Sequence, residues 1–273
     1  MRAVDTHDEV LARLREDPLT HLGRVSLRAL GAYEIGYSCG RSSLGLQGLP
    51  GSSYPEQHQA WIHAKICKDM TGEHRGRLNA GNAMSLTSAA RLFSVDDRAA
   101  FETYLGLRQE MIRECGAGVG FTSDARESFG VTLQRVLARP AMFFGNDYTA
   151  GELWAFCSGF RWAEVDVNSE SGEVASVFAG FQTWMESRYP FASGRSWDRI
   201  LDWLMLGSAA GALESFASHW EMFQGGHPFD APDPVQAQMM RSIVDHARKL
   251  EDAKMPVMSR LRRMLARLTS RRS

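Results

Sequence analysis

Residues 17–37 read DPLTHLGRVSLRALGAYEIGY, and residues 139–160 repeat the same pattern as RPAMFFGNDYTAGELWAFCSGF. With one extra residue in the second segment, the two align at positions that carry proline, glycine or an apolar side chain. The aligned pairs are Pro18/Pro140, Gly23/Gly145, Leu30/Leu153, Tyr33/Phe156, Gly36/Gly159 and Tyr37/Phe160. Because self-similarity of this kind is the signature of a duplicated structural unit, the sequence predicts two related halves.

Apolar residues recur at helical spacing along the chain, and the alternation of apolar and polar residues that is typical of strands is almost absent. The pattern therefore predicts an all-α fold. We place helices near 5–16, 26–40, 55–70, 80–93 and 95–114 in the first half, and near 126–138, 148–164, 173–188, 197–207 and 209–224 in the second. Thr149 with Glu152, and Ser94 with Asp97, have the spacing of helix caps.

The similarity between the halves extends downstream of the two segments. It pairs Trp61 with Trp184, Leu86 with Leu201 and Phe101 with Phe216. A stretch rich in glycine and serine separates the halves, as linkers do. We therefore predict two pseudo-repeated helical units with a C-terminal extension. The first helical repeat covers 1–115, the linker 116–125, the second repeat 126–226, and the C-terminal helical extension with a basic tail 227–273.

The formal net charge of −1 conceals an uneven distribution. Residues 254–273 contain seven basic residues and no acidic ones, so the preceding 253 residues carry a net charge of −8. An acidic body repels phosphates, which disfavours nucleic acid as a ligand and favours a basic protein partner. The basic tail leaves open a different role, an adaptor or regulator that recruits nucleic acid through this segment.

Composition and motifs restrict the class of protein further. The chain has no run of about 18 apolar residues and no apolar centre of a secretory signal near its start, so we expect a cytoplasmic protein with no membrane partner. His58 and His63 are five positions apart on a predicted helix, a spacing that points the two rings apart, so we predict no metal site. Signatures of nucleophilic or hydrolytic enzymes are absent, so we predict no catalytic residues and no cofactor.

The motif RPAMFFG at 139–145 is the most distinctive local feature. We expect Pro140 to fix an extended approach to the helix that follows, because its ring restricts the backbone. We expect Met142, Phe143 and Phe144 to enter the core. The repeat of the proline and glycine positions in the first half favours this packing role.

The motif and the residues that follow it resemble bacterial proteins that are encoded in polymorphic toxin loci and grouped there as immunity proteins. The resemblance is carried by Arg139, Pro140, Met142, Phe144, Gly145, Leu153, Phe156, Gly159, Phe160, Phe181, Trp184, Trp197 and Ile200. It covers residues 135–224, with residues 10–112 as a weaker copy. The resemblance implies a scaffold without assigned catalytic residues that binds a cognate toxin protein and neutralises it by occlusion.

We predict that the acidic body supplies the partner-binding surface. The candidate residues are Asp96, Asp97, Glu102 and Glu110 in the first half, and Glu164, Asp166, Glu170 and Glu173 in the second. The loop at 41–54 adds Leu44, Leu46 and Leu49, which alternate with glycines and are too flexible to enter a core together. For the acidic runs the alternative is a solvated helix face, and for the loop it is packing over the core. An enzyme whose site is assembled from scattered polar residues stays open as the alternative function.

Overall fold

The computed structural model describes residues 7–46, 60–65, 86–115, 127–145, 148–167, 173–192, 194–205 and 208–226, with a few helical residues between 238 and 249. Within these ranges the regular secondary structure is helical throughout, and no strand occurs. The predicted all-α class is confirmed for this part of the chain. No helix in the described ranges is long and apolar enough to cross a membrane.

The chain forms two compact units, Met1–Ala179 and Gly180–Ser273. The first unit contains α1 (His7–Glu16), α2 (Pro18–Leu22), α3 (Leu27–Ser43), a helical stretch at 60–65, α4 (Leu86–Leu92), α5 (Asp97–Cys115), α6 (Phe129–Ala138), α7 (Pro140–Phe144) and α8 (Ala150–Asp166). Helix α9 (Glu173–Arg188) runs across the boundary. The second unit continues with a 3₁₀ turn (Pro190–Ala192), α10 (Trp197–Leu204) and α11 (Ala209–Gln224). The predicted linker at 116–125 lies outside the described residues, as does most of the predicted extension.

The first aligned segment forms a short helix, a glycine turn and a long helix. Pro18 lies in the first turn of α2, where its missing N–H costs no hydrogen bond. Gly23 ends α2 with a φ of 69°, a left-handed conformation that favours glycine. The Ser26 hydroxyl accepts from the backbone amides of Arg28 and Ala29, and α3 then runs for 17 residues.

The second aligned segment has the same order of elements. Pro140 lies in the first turn of the five-residue helix α7, so the expected extended approach is wrong: proline also suits a helix start, because the first turn needs no donor there. Met142 is 68% exposed, which overturns its expected place in the core. Gly145 ends α7 with a φ of 78°, and α8 runs for 17 residues.

Of the two predicted helix caps, one is confirmed and one is wrong. The Thr149 hydroxyl accepts from the amide of Gly151, and the Glu152 carboxylate accepts from the amide of Thr149 at 2.7 Å. At the start of α5, Asp96 takes the place expected of Ser94, since its carboxylate accepts from the amide of Ala99 at 2.7 Å. A side chain immediately before the first helical residue reaches the free amides, and Ser94 is two residues too early.

Helices α3 and α8 touch along their backbones. A Cβ placed on Gly36 would lie 2.0 Å from the carbonyl oxygen of Phe156, and one on Gly159 would lie 2.1 Å from that of Tyr33. Further along α3, Gly40 meets Phe160 in the same way. Because the contacts advance in the same direction on both helices, α3 and α8 are parallel. Only glycine permits so close an approach.

The second unit has an aromatic interior. The Phe181 side chain is fully buried, and among the described residues of this unit its ring centroid lies within 5.9 Å of five aromatic rings. These rings belong to Trp184, Trp197, Phe216, Trp220 and Phe223. Trp184 itself is half-buried, so it lies at the edge of this cluster.

A histidine lies beside the aromatic cluster. The Nδ1 atom of His219 is 2.6 Å from the carbonyl oxygen of Ser215, which can only accept, so Nδ1 carries the proton. Nε2 then accepts from the Tyr189 hydroxyl at 2.6 Å. Burial lowers the pKa of His219, and this buried ring is therefore neutral.

Candidate functional site

Helix α5 is fixed to α3 by a buried polar cluster. The guanidinium of Arg108, which is almost fully buried, lies 2.9 Å from a carboxylate oxygen of Glu34. The Tyr104 hydroxyl donates to the same carboxylate at 3.0 Å and also bonds Arg108. Burial raises the pKa of Glu34, and the positive charge of Arg108 opposes that shift. The cluster satisfies its own polar groups and holds α5 in one position against α3.

Residues 60–65 pack on another face of α5. The indole N–H of Trp61 donates to Glu114 at 2.8 Å, and the Lys65 ammonium lies 2.5 Å from Glu110. The hydrogen bond from Trp61 lowers the pKa of Glu114. Because Trp61 contacts Glu114 whereas Lys65 contacts the earlier Glu110, this stretch and α5 run antiparallel. Trp61 and Lys65 thus form a wall that stands beside α5.

A pocket of about 220 Å³ lies between this wall, α4 and α5. We call it the α5 pocket. Its lining residues are Trp61, Ile62, Lys65, Leu86, Ala89, Phe93, Thr103 and Leu107. Six of these eight side chains are apolar. Phe93 lines the pocket and is also 42% exposed, so the pocket reaches the surface where α4 connects to α5.

The surface near the start of α5 is apolar and charged, and it includes two exposed arginines, Arg91 and Arg98, beside the acidic side chains. Val95 is 96% exposed, and Asp96, Asp97 and Glu102 follow it with exposed side chains. None of these three carboxylates forms an ion pair with another residue in the part of the chain that the structure describes. An exposed apolar patch with a charged border is typical of a protein-binding surface. The structure thus leaves three predicted acidic residues exposed at and near the start of α5.

Other predicted acidic residues are used within the fold. Glu110 pairs with Lys65, as described above. Glu164 is buried, and its carboxylate accepts from the backbone amide of Val174 at 3.3 Å. Asp166 lies 2.8 Å from the guanidinium of Arg13 and accepts from the Tyr37 hydroxyl at 2.5 Å. The latter two carboxylates join helices of the first unit.

The loop at 41–54, whose leucines are predicted to bind the partner, is only partly described. Leu44 is exposed and Leu46 is half-buried, both just after the end of α3. Leu49 and Glu170 lie outside the described residues. Glu173 is the first residue of α9. The structure therefore gives no reason to join these residues to the α5 pocket.

The pocket itself was not predicted from the sequence. Its walls come from three stretches of chain that meet only in the fold, and Ala89, Thr103 and Leu107 carry no motif. One signal was present: Phe93 and Val95 are apolar residues that directly precede two aspartates, at the junction of two predicted helices. Apolar residues beside negative charge at a helix junction indicate an exposed apolar surface with a charged neighbour.

Around the pocket the lining offers apolar carbon, the Thr103 hydroxyl and a Lys65 ammonium that a carboxylate neutralises. Among the residues that the structure describes, no group of three or more histidine, cysteine or acidic side chains is placed to hold a metal ion. Comparison of the chain with models of protein families, with curated proteins and with solved structures found no match.

Proposed function

We propose that the protein is an immunity protein that binds a cognate bacterial toxin and neutralises it by occlusion, with no catalytic activity of its own. The observation that carries the proposal is the α5 pocket, which is apolar and bordered by exposed carboxylates. Pockets for small-molecule substrates are usually larger, about 300–1,000 Å³. An apolar cavity of about 150 Å³ already holds benzene. The α5 pocket therefore has the size for one anchoring side chain of a protein partner.

The resemblance around RPAMFFG supports the same function. Proteins with this pattern sit beside toxin genes, and their shared scaffold has no assigned catalytic residues. The proposal places the protein in the cytoplasm with its toxin. In this position a binding protein needs a rigid surface and a fast encounter, and it needs no cofactor.

The proposal includes an internal duplication that makes the scaffold rigid. Gly36 meets Phe156 and Gly159 meets Tyr33, while Tyr33 aligns with Phe156 and Gly36 with Gly159. This reciprocity is what two copies related by a two-fold axis produce. The short helix, glycine turn and capped long helix that occur in both segments support it as well.

In this proposal the exposed carboxylates raise the rate at which the toxin associates with the protein. Complementary charge steers a basic partner toward the site and rejects wrong partners, whereas packed apolar anchors keep the complex together. Asp97 and Glu102 are exposed on the first two turns of α5, a helix that lines the pocket, and they make no ion pair among the described residues that would cost energy to break. They are the residues of choice for an electrostatic test.

The direct test is co-expression with the product of an adjacent toxin-like reading frame. We expect the wild-type protein to restore growth and to co-purify with the toxin domain at a one-to-one ratio. A wild-type protein that neither restores growth nor co-purifies contradicts the proposal.

A second test measures association by stopped flow with two double variants of equal net charge. Asp97→Lys with Glu102→Lys should slow association, and the effect should shrink as salt rises because exposed charges are screened. Glu16→Lys with Glu221→Lys is the matched control, since both side chains are exposed elsewhere. Equal slowing by the two double variants would show that net charge matters and this surface does not.

A further inference from the structure

The size of the α5 pocket narrows the class of side chain that it takes. Its volume of about 220 Å³ exceeds the ~150 Å³ of an apolar cavity that binds benzene. A phenyl ring would therefore leave part of this surface-connected pocket to water, and apolar wall that stays in contact with water contributes no burial energy. The two-ring indole of tryptophan matches the volume better. Trp61 and Phe93 in the walls give it aromatic neighbours.

The Thr103 hydroxyl in the lining narrows the choice of side chain further. Ser94 donates to the carbonyl oxygen of Ala90 at 2.6 Å, and it has one hydroxyl hydrogen to give. The oxygens of Ser94 and Thr103 lie 3.1 Å apart, so the hydrogen between them comes from Thr103. The Thr103 oxygen keeps its lone pairs and is left as an acceptor. Indole N–H is a donor without an acceptor, and it complements this group.

The charges around the pocket indicate which residues flank that anchoring side chain in the partner. Glu110 already neutralises Lys65 in the wall. Outside it the exposed carboxylates of Asp96, Asp97 and Glu102 outnumber the two exposed arginines of the same stretch, Arg91 and Arg98. A partner segment with lysine or arginine beside its anchor therefore gains complementary contacts, and one with acidic neighbours is repelled.

We infer that the α5 pocket takes a tryptophan side chain that the partner presents between basic residues. The inference rests on the proposed function in one respect, because it identifies the partner as the toxin. The recognition itself depends only on the pocket, its hydroxyl acceptor and its acidic border.

The probe is the peptide acetyl-Lys-Trp-Lys-amide with 5-fluorotryptophan at its centre, added to the full-length protein and observed by ¹⁹F NMR. Unlabelled peptides then compete with it. We expect acetyl-Lys-Ala-Lys-amide to compete about thirtyfold less well than the tryptophan peptide, the factor that corresponds to truncating a hot-spot side chain. We expect acetyl-Glu-Trp-Glu-amide to compete less well too.

Two variants test the pocket without removing its supports. Ala89→Met fills the space from a lining position and should abolish binding of the probe. Thr103→Val removes the acceptor, leaves the bond between Ser94 and Ala90 in place, and should weaken binding about three- to tenfold, the usual value of one hydrogen bond. Circular dichroism confirms that each variant is folded.

The outcomes separate this inference from the proposed function. Equal competition by the tryptophan and alanine peptides, or probe binding that Ala89→Met leaves unchanged, overturns the inference. If the toxin co-purifies equally with wild type, Ala89→Met and Thr103→Val, the proposed function stands and the tryptophan site does not. If the probe binds as expected but no toxin does, the pocket assignment stands and the toxin as its partner is wrong.

Discussion

Two regions of the molecule share a sequence pattern and differ in how their interiors are filled. One is the α5 pocket region, formed by residues 60–65, α4 and α5. The other is the aromatic region of the second unit, formed by the later part of α9 with α10 and α11. The sequence pairs Trp61 with Trp184, Leu86 with Leu201 and Phe101 with Phe216 between them. The aromatic region fills its interior with rings, whereas the pocket region leaves about 220 Å³ unfilled.

The difference comes from a few side chains. Phe216 and Trp220 on α11 surround the buried Phe181. The pocket is lined by the smaller Ala89 and Thr103, which do not align with these two residues, since Phe216 pairs with Phe101. Interiors packed to the density of organic crystals gain stability, and interiors with a surface-connected cavity give some of it up. The comparison teaches that two helical regions whose sequences can be paired differ in how completely their interiors are filled, depending on the size of their inward side chains.

The largest expected contrast is between Phe181→Ala and Phe93→Ala. Phe181 is fully buried among rings, so its truncation should lower the free energy of unfolding by about 3–5 kcal/mol. Phe93 is 42% exposed, so its truncation should cost no more than about 1 kcal/mol. Urea unfolding followed by circular dichroism measures both. Similar losses in the two variants would mean that the two regions are equally packed.

The next test asks what holds the pocket region in place. Arg108→Ala leaves the carboxylate of Glu34 in a largely buried position without its partner, which should cost about 3 kcal/mol at pH 7. The double variant Arg108→Met with Glu34→Leu, which removes both charges, should recover most of this loss.

The pH dependence of the Arg108→Ala variant has a defined sign. Burial raises the folded-state pKa of Glu34, and loss of Arg108 removes the charge that opposes this shift. The penalty for the buried carboxylate is therefore complete above the raised pKa and is relieved as the pH falls through it. We expect the deficit in unfolding free energy to be smaller at pH 5 than at pH 7. A deficit that is constant over this range would place Glu34 in water after the change.

A smaller effect comes from adding bulk at matched alanines. Ala89→Met extends into the pocket and should raise the free energy of unfolding by about 0.5–1 kcal/mol, as cavity filling does. Ala212→Met, at a fully buried position of α11, should lower it by about 1–3 kcal/mol through overpacking. Opposite signs in thermal or urea unfolding support the comparison. The same sign in both variants contradicts it.

The smallest effect concerns acid stability of the aromatic region. The folded-state pKa of His219 is lowered from 6.5 by burial, so below pH 6.5 the unfolded chain takes up a proton that the folded chain does not. Stability should therefore fall as the pH drops from 6.5 toward the folded-state pKa, by at most about 1.4 kcal/mol per pH unit for this one group. His219→Gln should flatten that slope. An unchanged slope would assign it to other groups.

The long helices and one cap follow from local sequence. Helix α8 was predicted within two residues of its observed bounds, because periodic apolar residues and the pair Thr149 and Glu152 act over one or two turns. The five-residue helices α2 and α7 were missed, because so short a helix has no period to detect. The half-buried position of Trp184 does not follow from its spacing in the sequence, because it depends on neighbours 30 or more residues away in the chain.

The site was less accessible from sequence than the fold. The acidic residues at the start of α5 were predicted as partner-binding, and the structure shows them exposed. Glu164 and Asp166 also belong to an acidic run of the sequence. In the fold, however, the Glu164 carboxylate accepts from the amide of Val174, and the Asp166 carboxylate pairs with Arg13. Which acids are left at the surface is decided by tertiary contacts, and single residue types do not encode these.

The contact of Gly36 with α8 has a consequence for synthesis of the protein. Its partner segment lies about 120 residues further along the chain, so α3 leaves the ribosome long before α8 exists. At the usual ~5–20 residues per second, the buried face of α3 waits on the order of 6–25 s for its partner. Closing so large a loop is also slow, since contacts distant in sequence form late. Nascent chains that stop near residue 145 should therefore bind chaperones, which pull-down of stalled ribosomes can measure, and chains that include α8 should not.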